Sequence, residues 1–209
     1  MNPLHLLIAL SGILSLSPSN AATLLLDDFS SGSFSLAFGG TTSNSGPFVT
    51  PLTDQRTVAG VGFPNWTATL ASGDLAYSVN QLDPSPRRNY LNINYSLASG
   101  SFSLLGYDAF AVDVSNVIGS GEFVAFVDGA PSADIRFAIN GSGTIVSPFA
   151  GLDTSQSIGS LSQMNFRFYA ISDDFSLTID NVRIVPEPSA SLLVGFGVAS
   201  LLFQRRRKK

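Results

Sequence analysis

From about Thr23 to Ile184 the chain alternates apolar and polar positions with a period of two. Leu91, Ile93, Tyr95 and Leu97 alternate with Asn92, Asn94 and Ser96. Phe110, Val112 and Val114 alternate around Asp113, and Met164, Phe166, Phe168 and Ala170 around Asn165 and Arg167. Phe175, Leu177 and Ile179 do the same around Ser176 and Thr178, and Trp66, Ala68 and Leu70 around two threonines. Successive side chains of a strand point to opposite faces, whereas a helix repeats every 3.6 residues, so this pattern predicts half-buried β-strands. Turn formers separate the runs: Asp83-Pro84-Ser85-Pro86, Gly119-Ser120-Gly121, Asp128-Gly129, Asn140-Gly141 and Asp173-Asp174. Asn140-Gly141, between two strand runs, predicts a type I′ hairpin. Many short strands at regular spacing predict an all-β fold, an antiparallel jelly-roll-like β-sandwich of about ten strands. In the last run the apolar phase moves from Ile179 to Val182, a slip at Asp180-Asn181 that predicts a β-bulge aiming the Asp180 carboxylate at a particular place.

The two ends break the alternation. Leu4 to Leu16 is an apolar stretch of signal-peptide length, and Ser19-Asn20-Ala21-Ala22 offers signal peptidase a small-residue cleavage site. Residues 1–22 are therefore read as a signal peptide, with a short N-terminal anchor as the alternative. Near the other end, Ala190 to Phe203 holds neither charge nor proline. Taken as a transmembrane helix over 189–204, its apolar part rises about 1.5 Å per residue and falls short of a hydrocarbon core of about 30 Å. The terminal cluster Arg205, Arg206, Arg207, Lys208 and Lys209 stays cytoplasmic by the positive-inside rule, placing the preceding chain outside.

Pro186-Glu187-Pro188, a short apolar helix and a basic terminus, in that order, resemble the PEP-CTERM sorting signal of exopolysaccharide-producing Gram-negative bacteria. The resemblance implies an exosortase-type membrane protease as partner, cutting at the Pro-Glu-Pro element. It also implies a transient hold in the inner membrane, followed by delivery to the cell surface or an exopolysaccharide matrix. A plain single-span anchor is the alternative. The chain thus divides into 1–22, a β-sandwich domain over 23–184, and a sorting signal over 185–209.

Composition narrows what the sandwich does. All five basic residues of the tail lie beyond Gln204, so the body keeps six arginines against fourteen acids, a charge near −8 where the whole chain is −4. Such an acidic body has no patch for nucleic acid. Cysteine is absent, so neither disulfides nor thiolate chemistry are available. His5, the one histidine, lies in the signal peptide, and the body holds no lysine. Histidine-based triads, histidine-bound zinc and Schiff-base chemistry are thereby excluded. Carboxylates remain, but none sits in a recognisable glycosidase pair, and the body is read as non-enzymatic, with polysaccharide-lyase chemistry by Tyr and Arg as the alternative left open.

Leu26-Asp27-Asp28-Phe29 with the turn Ser30-Ser31-Gly32, and the run Thr178-Ile179-Asp180-Asn181-Val182-Arg183-Ile184, resemble the first and last strands of jelly-roll carbohydrate-binding modules. The resemblance implies that the two strands are neighbours and that Asp27, Asp28 and Asp180 hold a structural calcium, which takes six to eight oxygens. Otherwise no cofactor is expected. The alternative is that Asp27 and Asp28 face solvent or cap a turn. For glycan binding the candidates are Trp66, Tyr90, Arg87 and Arg88, with Tyr77, Tyr95, Tyr107 and Tyr169 as further aromatics and Asn92 and Asn94 sharing one outward face. Trp66 also falls on the inward phase with Ala68 and Leu70, so a core position competes with a sugar-stacking one. Two functions follow: a matrix or surface protein without a discrete site, or a carbohydrate-binding module displayed at the surface.

Overall fold

The computed structural model describes residues 22–37, 41–45, 53–62, 65–80, 89–97, 102–104, 106–127, 130–131, 136–149 and 161–186. The signal peptide up to residue 21, Arg87, Arg88, Glu187, Pro188, the 189–204 segment and the basic tail lie outside them. No helix among the described residues is long and apolar enough to cross a membrane.

Fourteen strands are found among these residues: β1 (Leu24–Asp27), β2 (Phe34–Ala37), β3 (Thr41–Ser45), β4 (Thr53–Val61), β5 (Trp66–Ala71), β6 (Asp74–Val79), β7 (Tyr90–Leu97), β8 (Tyr107–Ile118), β9 (Gly121–Val127), β10 (Ala130–Pro131), β11 (Phe137–Ile139), β12 (Gly143–Pro148), β13 (Gln163–Ala170) and β14 (Phe175–Pro186). They form two antiparallel sheets. Sheet A runs β12-β8-β14-β6-β5-β2, with β1 also on β14; sheet B runs β10-β9-β13-β7-β4-β3, with β11 also on β9. The fold is thus the expected all-β sandwich. The count exceeds about ten in part because β10 and β11 are short pieces beside β9.

The inward phases of the two sheets make one core. Trp66, Leu70, Leu75 and Tyr77 of sheet A meet Leu91, Ile93, Tyr95, Phe123, Phe166 and Phe168 of sheet B. Strand β5 shows the mechanism at its simplest: Trp66, Ala68 and Leu70 are buried and the residues between them exposed. Its hairpin to β6 turns at Ser72 (φ 57°) and Gly73 (φ 90°), with Ala71 opposite Asp74. Two positive φ angles in a two-residue loop match the right-handed strand twist, and glycine supplies one of them without strain.

Two expectations hold and one falls. β1 does pair with β14, Leu24 opposite Ile184 and Leu25 opposite Arg183. The β14 ladder does slip between Ile179 and Asn181, leaving Asp180 as the bulged residue. The Asn140-Gly141 hairpin is corrected: β11 before it pairs with β9 in sheet B, and β12 after it pairs with β8 in sheet A. The turn carries the chain from one sheet to the other.

Candidate functional site

Inside the sandwich, Asp27 of β1 and Arg56 of β4 connect the two sheets. Both are fully buried, at 1% and 0% exposure, and Arg56 Nη1 lies 2.6 Å from Asp27 Oδ2. The same oxygen accepts the Tyr95 hydroxyl at 2.9 Å, and Asp27 Oδ1 accepts the Phe29 N–H at 2.7 Å. Arg56 also donates to the Ser31 carbonyl and lies over the Phe29 ring at 5.3 Å. Burial is the first cause that pushes the Tyr95 hydroxyl well above its ordinary range, the Asp27 charge adding to it and Arg56 opposing it. The Asp27 charge is matched by Arg56 and both of its oxygens accept hydrogen bonds, so the cluster is structural.

This arrangement separates the three aspartates expected to share a calcium. Asp27 faces inward and is matched by an arginine. Asp28 accepts the Ser30 N–H at 3.0 Å and the Ser30 hydroxyl at 2.6 Å, and that hydroxyl is the largest cause of its lowered pKa. Asp180 accepts the Ser115 hydroxyl of β8 at 2.9 Å, across the edge of β14 opposite to β1. The bulge aims Asp180 at β8, and no group of three metal-capable side chains occurs among the described residues.

Trp66 is likewise placed in the core, at 1% exposure, and not on a sugar-binding surface. Tyr77 and Tyr95 are buried too. Tyr90 is half-buried on the outer face of sheet B, and there the structure gathers a coherent set of side chains. Register places Tyr90 of β7 opposite Tyr169 of β13, which is opposite Glu122 of β9. One step along, Ala59, Asn92, Arg167 and Val124 cross four strands in a row. The next row is Thr57, Asn94, Asn165 and Phe126.

Tyr90 and Tyr169 pack with ring centroids 5.0 Å apart, and with Val124 and Phe126 they form a small apolar cluster separate from the main core. The rings are floored rather than bare: Tyr169 is 6% and Phe126 7% exposed. Arg167 lies over Phe126 at 4.3 Å and over Tyr90 at 5.2 Å, and its Nε donates to Asn92 Oδ1 at 3.2 Å. Arg136 lies over Tyr169 at 5.1 Å and pairs with Glu122 at 3.1 Å. Beside them, the amide oxygens of Asn94 and Asn165 are buried and accept no hydrogen bond. A buried acceptor without a donor costs roughly 1–3 kcal/mol, so these two amides would gain by turning outward to meet a donor above the face. Sequence reading found Tyr90, Asn92 and Asn94. It missed Asn165 and Arg167 as members of the same face, because their place beside β7 follows only from strand pairing.

The outer face of sheet A contrasts with this. A shallow cleft of about 240 Å³ lies among Thr67, Thr69, Ser78, Ser176 and Thr178. Its polar groups answer one another, the Thr67 and Ser78 hydroxyls at 2.8 Å and the Asn116 amide donating to Thr178 Oγ1 at 3.3 Å.

Residues 185–208 match the PEP-CTERM protein-sorting motif. A search of curated proteins finds no match. Among solved structures, the family 11 carbohydrate-binding module of a cellulosomal cellulase of Clostridium thermocellum is similar at 16% identity, covering 81% of this chain and 97% of that one, with a TM-score of 0.42. A carbohydrate-binding module specific for non-crystalline cellulose is similar at 12% identity, covering 70% and 82%, with a TM-score of 0.43. An agarase is similar at 14% identity, covering 79% of this chain and 26% of that one, with a TM-score of 0.46.

Proposed function

We propose that this is an exported protein, sorted through its C-terminal motif by an exosortase-type protease, whose sandwich binds polysaccharide at the cell surface or in the surrounding matrix. The motif at 185–208 supports the sorting half. In this reading a signal peptide over 1–22 is removed by signal peptidase. The 189–204 helix holds the chain transiently in the inner membrane with Arg205 to Lys209 inside, and cleavage near Pro186-Glu187-Pro188 releases the body. Intact-mass spectrometry of protein recovered from the cell surface and medium is expected to find a C-terminus between Val185 and Pro188. An intact basic terminus confined to the membrane fraction would make this a plain anchored protein.

The observation that carries the binding half is the pair of unanswered amide oxygens, Asn94 and Asn165, beside the Tyr90–Tyr169 cluster on one sheet face. Hydroxyl groups of a sugar are the donors such a face lacks. No reaction is proposed, since the body contains neither histidine, lysine nor cysteine.

Replacing both asparagines with alanine tests this directly. A side chain kept for the fold would cost stability when removed. Here the double variant removes two unsatisfied acceptors, so its melting temperature is expected to be unchanged or higher. Its affinity for polysaccharide is expected to fall about tenfold or more, from two lost hydrogen bonds of about 0.5–1.5 kcal/mol each. Unchanged affinity in a folded double variant, or no binding across a broad glycan panel, would favour a matrix protein without a discrete site.

A further inference from the structure

We propose that the polysaccharide bound by this face is a polyuronate, and that Arg167 reads its carboxylates. This rests on the glycan-binding reading above and adds the charge of the ligand.

The body carries six arginines against fourteen acids. In such a domain an arginine finds a carboxylate easily, and three of the four described arginines have done so: Arg56 with Asp27 at 2.6 Å, Arg136 with Glu122 at 3.1 Å and Arg183 with Asp113 at 2.8 Å. Arg167 is the exception. It donates from Nε to Asn92 Oδ1, and among the described residues it has no carboxylate in ion-pair range. The two terminal nitrogens, the pair that binds a carboxylate in bidentate fashion, are left over.

The guanidinium is nevertheless fixed. It lies over Phe126 at 4.3 Å and over Tyr90 at 5.2 Å, while Asn92 holds its inner nitrogen. A long side chain held this way has already lost much of the rotamer freedom that binding would otherwise take from it. It is a preformed donor fork with no acceptor.

Its neighbours specify the rest of the ligand. Asn165 lies two residues before Arg167 on the same face of β13, and Asn94 is directly opposite Asn165 on β7. Their amide oxygens lack donors, and the terminal nitrogens of Arg167 are best matched by a carboxylate. A uronic acid residue carries both groups on one ring. A neutral sugar can offer the fork single hydroxyl oxygens but no bidentate anion, and an acidic peptide offers carboxylates without a ring of hydroxyls. The body's net charge opposes a polyanion at long range, but at physiological ionic strength charges beyond about 8 Å are screened, so the local fork decides.

The test uses the full-length chain in detergent, titrated calorimetrically with polygalacturonate, alginate and hyaluronate. Each is paired with its carboxyl-reduced derivative, which keeps the linkages and loses the charge. Poly-glutamate controls for charge alone. At least one polyuronate is expected to bind about tenfold or more tighter than its reduced form. Arg167→Gln is expected to abolish that difference, and Arg167→Lys to restore it only in part, a point charge replacing a fork. The comparison of parent and reduced polymer needs no variant, so a misfolded Arg167→Gln leaves the test intact. Equal affinity for a polyuronate and its reduced form, or poly-glutamate binding as tightly as a polyuronate, would overturn the polyuronate assignment and leave glycan binding standing. Tight binding of neutral glycans alone would do the same. No binding to any saccharide would overturn both readings.

Discussion

Arg56→Met is expected to destabilise the fold by about 3–5 kcal/mol, because it leaves the Asp27 carboxylate buried without its counter-charge. That is a large fraction of a domain stability of about 5–15 kcal/mol. The expectation depends on burial: both side chains are essentially inaccessible, and they tie a strand of one sheet to a strand of the other. An exposed ion pair would lose no more than about 1 kcal/mol. Denaturant midpoints at pH 7 decide between the two. The pair variant Arg56→Met with Asp27→Leu is the sharper measurement. A buried ion pair replaced whole by apolar side chains is often neutral in stability. The pair variant is therefore expected to recover much of what Arg56→Met loses, less the bonds that Asp27 accepts from Tyr95 and the Phe29 N–H. A single-variant loss under about 1 kcal/mol would mean that water reaches the pair and that the link between sheets is weak.

Arg56 also shows what was legible in the chain. In β4, Arg56, Val58 and Gly60 occupy one phase and Gln55, Thr57 and Ala59 the other, so a charged residue on the apolar phase was itself a signal of a buried partner. That partner lay 29 positions away, and nothing local pointed to it. Features set by local periodicity read through: the strands β5, β7, β13 and β14, and the phase slip at Asp180. Features set by long-range pairing did not. Asn140-Gly141 has hairpin chemistry, yet its flanking strands join different sheets, because turn residues fix a local bend and not the partner beyond it. The outer face of sheet B behaves similarly. Asn92 and Asn94 read as one outward row, while Asn165 and Arg167 joined them only when β13 took its place beside β7. The three aspartates come apart for a related reason: adjacency of β1 and β14 was right, but the bulge turned Asp180 toward β8 while Arg56 claimed Asp27.

Trp66→Ala is expected to cost about 3–5 kcal/mol, lowering the melting temperature on the order of 10 °C, with glycan affinity unchanged in the fraction that stays folded. Trp66 is the largest fully buried side chain among the described residues. Its indole fills the space above Gly60, where an added Cβ would stand 2.1 Å from the ring. That contact explains the glycine: its φ is not positive, so space and not backbone freedom requires it. Gly60→Ala alone is therefore expected to cost about 1–3 kcal/mol through overpacking. Combining Gly60→Ala with Trp66→Phe should cost less than the two single losses added together, since the smaller ring vacates the volume that the new methyl needs. The Trp66 N–H makes no hydrogen bond in the core, so phenylalanine also removes a buried donor rather than breaking a bond. Strict additivity in that cycle would place the indole away from Gly60. Loss of glycan binding at full thermal stability in Trp66→Ala would move Trp66 from the core to the binding face.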